Sequence, residues 1–137
     1  MKTESARKTE RLAKTGRVLG ILSFLLILFP LGLRLWTIIK GPLGDWSMLG
    51  WAYLAVFMML GSLLTGIPGL IIAWLALNRN KAEGGDPVIK SIANTGLVFS
   101  LLGVLGALAM IFSAWIYASN NPPPPAPTTP IPSTAIP

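Results

Sequence analysis

Apolar positions in this chain neither alternate nor recur as a stripe; they run on. Residues 18–39, 48–77 and 95–117 form three almost unbroken apolar stretches holding a single charged side chain, Arg34. A surface helix shows one apolar face with a polar back, whereas about 20 consecutive apolar residues are enough to cross a bilayer. The pattern predicts an all-α integral membrane protein with three transmembrane helices. Helix one is expected over 17–39, helix two over 47–77, and helix three over 87–118 with an interfacial start. Between and around them lie a basic arm (1–16), a short outer loop (40–46), an inner loop (78–86) and a proline-rich tail (119–137).

Proline and glycine punctuate the stretches. Pro30 predicts a kink near 26–29, because proline removes a backbone hydrogen bond. The second stretch is longer than a bilayer requires, and Gly66, Pro68 and Gly69 predict a kink or a short unwinding there. Unwound backbone in lipid is tolerated only against protein or a wet cavity, and broken helices line transporter sites. Pro68 therefore has two readings: a gate, or a bend that absorbs length and lets a neighbour approach. A gate needs a polar lining, and only Ser62 and Thr65 lie close by.

Small residues recur beside these prolines. Gly61, Thr65, Gly69 and Ala73 are spaced i+4, with Ser62 and Gly66 alongside. Helix three carries Gly96 with Ser100 and Gly103 with Ala107 at the same spacing, and Gly106 one step away. Small-xxx-small stripes let helix backbones approach where lipid supplies no hydrophobic drive between helices. Two such stripes on consecutive helices predict that helices two and three pack as a close antiparallel hairpin.

Charge orients the chain. Of eleven Lys and Arg, six lie in the first seventeen residues (Lys2, Arg7, Lys8, Arg11, Lys14, Arg17) and three in or near the inner loop (Arg79, Lys81, Lys90). The outer loop has only Lys40, and the tail has no charged side chain. Basic loops stay cytoplasmic, so the expectation is a multi-pass cell-membrane protein with its N-terminus inside and its C-terminus outside. The first stretch is about twice the length of a secretory h-region and lacks a small-x-small cleavage site, so it reads as a retained signal anchor. Arg7, Arg11, Lys14 and Arg17 are candidate contacts for anionic lipid headgroups, at about 1 kcal/mol per basic residue. A solvated arm that only sets topology is the alternative. Glu4–Lys8 and Glu10–Lys14 are i,i+4 pairs in the better orientation.

At the opposite end Arg34 stands near the headgroups, either as a snorkelling anchor or as a contact to a partner subunit or lipid. Trp36, Trp46 and Trp51 form an aromatic belt there, with Trp115 and Tyr117 closing helix three. Asp86 followed by Pro87 is an N-cap and first helical position. The tail over 122–137 holds eight prolines in sixteen residues and reads as extended polyproline II, either a stalk or a strand laid across a partner, with Pro122 and Pro125 as candidate contacts.

The composition narrows the chemistry. There is no Cys and no His, so zinc sites, thiolate clusters, haem ligation and nucleophile–His pairs lack their residues. The five acids, Glu4, Glu10, Asp45, Glu83 and Asp86, all lie outside the apolar stretches, where a proton relay would place one. The expectation is no enzyme, no cofactor, no metal, no nucleic acid and no small-molecule substrate. The expected partners are membrane lipids and other integral membrane subunits.

The residues GIPGLIIAWLALNRNK and SIANTGLVFSLLGVLG, with the glycine-bearing loop between them, give 61–106 the look of a bacterial membrane-domain family without an assigned activity. Its members pair a Gly-Ile/Leu-Pro-Gly/Ala-Leu helix with one reading Gly-Leu-Val and ending Leu-Gly. The resemblance covers about a third of the chain and implies a two-helix core with no catalytic residues. The first helix and the proline tail depart from that core, and would carry any partner specificity. The sequence reading is thus a non-catalytic accessory subunit stabilising a larger membrane complex, with respiratory and photosynthetic energy-converting complexes as candidate hosts on general grounds. The competing reading is a small self-assembling transporter or channel gated at the broken helix two.

Overall fold

A computed structural model describes residues 4–41 and 45–121, the side chains of 45–49 excepted. Three helices account for nearly all of them: α1 (Glu4–Lys40), α2 (Asp45–Ala82) and α3 (Pro87–Asn120). Each has a stretch long and apolar enough to cross a membrane. At 1.5 Å per residue the 37-residue α1 is about 56 Å long, against a hydrocarbon core of about 30 Å. The surplus is a helical extension beyond the bilayer, at the end that carries the α1 N-terminus and the α2–α3 turn.

The basic arm is therefore not a separate segment. Residues 4–16 continue α1 without a break, and Thr9, Ala13 and Gly16 are buried. Ala13 packs with Ala76 of α2 and with Ile89 and Ala93 of α3, flanked by Leu12, Leu77 and Ile92. Glu4–Lys8 and Glu10–Lys14 both close as ion pairs at 2.9 Å on the arm's polar side. The extension folds because one face of it is small and apolar, although its overall composition is polar.

The buried positions of all three helices follow one rule. In α1 they are Thr9, Ala13, Gly16, Gly20, Ser23, Ile27 and Pro30; in α3 they are Ile89, Ala93, Gly96, Ser100, Gly103 and Ala107. In α2 they are Ser62, Gly66, Gly69, Ala73, Ala76 and Asn80. Steps of four and three alternate, which averages 3.5 residues and keeps a seam facing its neighbour in a left-handed bundle. The proximities Gly20–Ser100, Ser23–Gly103 and Gly106–Ile27 ascend together, so α1 and α3 run parallel. Gly16–Ala73, Gly69–Gly20 and Gly61–Leu26 run in opposite order, so α2 is antiparallel to α1. α2 and α3 form the hairpin, and α1 packs along both.

The helices run through their prolines. α1 continues across the buried Pro30, and α2 across Pro68, with no unwinding at residues 66–69. Pro68 lies on the exposed face, and the Thr65 hydroxyl donates to the Gly61 carbonyl at 2.8 Å.

A tight turn joins α2 to α3. Gly84 and Gly85 have φ of +106° and +75°, a region L side chains avoid. Buried Asn80 donates from Nδ2 to the Asp86 carbonyl (2.9 Å) and accepts the Asp86 amide (3.1 Å). Asp86 in turn caps α3, accepting from Val88 N at 2.8 Å with Pro87 in the first turn. Glu83 accepts from Thr9 Oγ1 at 3.1 Å and from the Ser5 hydroxyl, tying the turn to α1.

Candidate functional site

The feature with the most structure built into it is the helix seam itself. An ideal Cβ placed on Gly96 would lie 2.7 Å from Arg17 N and 2.8 Å from Gly16 C, both backbone. On Gly69 it would lie 2.5 Å from Ser100 Oγ, and on Gly66 2.6 Å from Ser23 Oγ. On Gly103 it would strike Ser23, including its backbone at 3.0 Å. Real Cβ atoms do not come so close; at Gly96 and Gly103 backbone meets backbone, and at Gly66 and Gly69 the space is taken by serine hydroxyls of the neighbouring helices. Along this stretch the bundle axis holds no passage.

Polar groups within the bilayer serve the same packing. Ser23 Oγ reaches the Ser62 carbonyl (2.8 Å) and stands 3.1 Å from Ser62 Oγ. Ser62 Oγ in turn reaches the Ser23 carbonyl (2.9 Å) and the Gly103 carbonyl of α3 (3.2 Å). One fully buried pair of hydroxyls thus joins all three helices at one height. Interhelical hydrogen bonds of this kind average about 0.6 kcal/mol in a bilayer and reach about 1.7. Ser100 Oγ, equally buried between Gly20 and Gly69, has no hydrogen-bond partner.

Of the residues singled out from sequence, Gly69, Ala73, Gly96, Ser100, Gly103 and Ala107 lie buried on the seam. Gly61 and Thr65 are half-buried at its margin; a Cβ on Gly61 would meet only the tip of Leu26 at 3.3 Å. The neighbouring Ser62 and Gly66 take the central places instead. Arg34 bends across to α3, donating to Ser113 Oγ and approaching Met110 Sδ at 3.8 Å. Trp36 is exposed and lines an open apolar groove with Phe29, Gly32 and Trp51, where the Phe29 and Trp51 rings stand 5.9 Å apart. The Trp46 side chain and the tail residues Pro122 and Pro125 lie outside the described residues. Arg7, Arg11, Lys14 and Arg17 are all exposed on α1 beyond or at the edge of its apolar stretch.

Sequence reasoning did not find the α1 seam, Asn80 or Glu83. The α1 seam is hidden because Thr9, Ala13, Ile27 and Pro30 differ in size and polarity; only the four–three spacing through Gly16, Gly20 and Ser23 could have revealed it. Among the described residues no group of three or more Asp, Glu, His or Cys is gathered as metal ligands would be. No protein-family model, no curated protein and no solved structure matches this chain.

Proposed function

We propose that this protein is a non-catalytic accessory subunit that stabilises a larger membrane complex through helix packing. The observation that carries this reading is the backbone-to-backbone seam. Its interior polar groups hold helix to helix, and its axis is too tight for a Cβ, let alone a permeating ion. What is left to act with is the outer surface, dominated by exposed Leu, Ile, Val, Phe and Trp. From Gly50 to Gly61 no residue of α2 is buried and most are exposed, so that part of the helix is largely open to lipid or to another subunit. The resemblance of 61–106 to small bacterial membrane domains belongs with this reading. So do an N-terminus in the cytoplasm, from the nine-to-one Lys/Arg asymmetry, and a host among the energy-converting complexes.

Native mass spectrometry after mild solubilisation tests it. A fixed stoichiometry with other membrane proteins is expected. A pure homo-oligomer that also conducts ions in liposomes would refute the proposal and favour the channel reading, although α2 is not broken at Pro68.

A further inference from the structure

We infer that the basic end of the α1–α2 interface is a binding site for the phosphate of an anionic phospholipid. A groove of about 320 Å³ lies there, lined by Lys8, Arg11, Leu12 and Thr15 of α1 and by Arg79 of α2. The α1 members are spaced three, four and seven residues apart and so share one helix face. Lys8 is engaged by Glu4 at 2.9 Å, and Lys14, outside the groove, by Glu10. Among the described residues neither Arg11 nor Arg79 has a carboxylate within ion-pair reach. Two guanidinium groups on different helices thus line one groove, where their like charges repel. An anion held between them turns that repulsion into attraction, and guanidinium forks match phosphate oxygens in pairs.

Height selects a lipid over a free ion. The apolar stretch of α1 begins at Val18. Thr15 and Arg11 lie about 4 and 10 Å beyond it along the helix, spanning the headgroup layer of about 5–8 Å. A phospholipid phosphate sits at this level with its acyl chains directed back along the apolar part of α1. The site differs from a diffuse basic arm: it needs Arg79, from another helix, and does not need Lys14 or Arg17.

The test uses the full chain in a neutral detergent, with phosphatidylglycerol and phosphatidylcholine of identical acyl chains titrated in and adducts counted by native mass spectrometry. Phosphatidylglycerol is expected to bind in preference as a first, saturable adduct. Arg11→Gln and Arg79→Gln are each expected to weaken it about fivefold, the factor equivalent to one basic contact. Lys81→Gln, an equal loss of charge on α2 outside the groove, is expected to change it less than about twofold. Both arginines are exposed, and unchanged far-UV circular dichroism would confirm folding of the variants. Equal binding of the two lipids, or an equal effect from Lys81→Gln, would overturn the site. Displacement of phosphatidylglycerol by millimolar sodium phosphate would overturn the lipid and assign the groove to free phosphate.

Discussion

Gly96→Ala is the sharpest probe of the seam, because the atoms it meets cannot move aside. The new methyl would lie 2.7 Å from Arg17 N, 2.8 Å from Gly16 C and 2.9 Å from Arg17 Cα, all backbone, whereas ordinary contact begins at 3.4 Å. Relief requires α1 and α3 to separate by several tenths of an ångström, which also loosens the contacts at Gly20 and Gly103. Forcing a methyl group into packed surroundings costs about 1–3 kcal/mol. Alanine's better helix propensity returns up to about 1 kcal/mol. With the full propensity gain the net expectation is a loss of about 0–2 kcal/mol, which sets Gly96→Ala about 1–3 kcal/mol below an alanine placed in open space. Gly32→Ala is the matched control, since nothing lies within 4 Å of its Cβ and only the propensity gain remains. Gly61→Ala meets only the flexible tip of Leu26 and should resemble Gly32→Ala. Unfolding in mixed micelles by rising SDS, followed by tryptophan fluorescence, ranks the three. If Gly96→Ala proved as stable as Gly32→Ala, the backbone contact between α1 and α3 would be the wrong account of the fold.

Two serines of equal burial should respond in opposite directions to the same assay. Ser62→Ala breaks the three-helix hydroxyl pair and should cost about 0.6–1.7 kcal/mol, whereas Ser100→Ala removes a hydroxyl with no partner and should be neutral or stabilising. Equal losses from both would show that the hydrogen bonds contribute nothing beyond shape. Since the chain has no native cysteine, a Ser23→Cys/Ser62→Cys double variant should form an intramolecular disulfide under mild oxidant, the two Oγ atoms being 3.1 Å apart; persistent alkylation of both thiols would place these helices elsewhere. Asn80→Ala should strip the α2–α3 turn of two hydrogen bonds, at about 1–3 kcal/mol, and speed amide exchange at Asp86 while leaving the seam protected. Unchanged exchange there would show that the turn holds without Asn80.

The three helices were legible because an apolar run of bilayer length admits almost no other structure. The α3 cap was equally legible, Asp86 and Pro87 being local chemistry that tertiary contacts do not override. The register of the α2 stripe was harder. Small residues on α2 offer both a ladder of fours through Gly61, Thr65, Gly69 and Ala73 and an alternation through Ser62, Gly66, Gly69, Ala73 and Ala76. Steps of four drift around a helix by about 40° each, whereas a four–three pair returns to within about 20°. Residue size alone cannot choose between them. The choice is made by α1, whose own spacing over thirty-odd ångströms admits only a partner that stays in front of it. From sequence that helix reads as an anchor with a polar arm, because its seam crosses from solvent into lipid and changes composition as it does so.

The bonds from Ser5 and Thr9 to Glu83 have a consequence for biogenesis. The hydroxyl donors belong to the start of α1, and the acceptor follows only once α2 has been synthesised. Until then Ser23 also waits for Ser62, and the glycines of the leading segment face lipid rather than a sibling. The bundle therefore cannot mature span by span; α1 stays unclasped until α2 has been made, and any chaperone or insertase that shields it must remain in place for that interval.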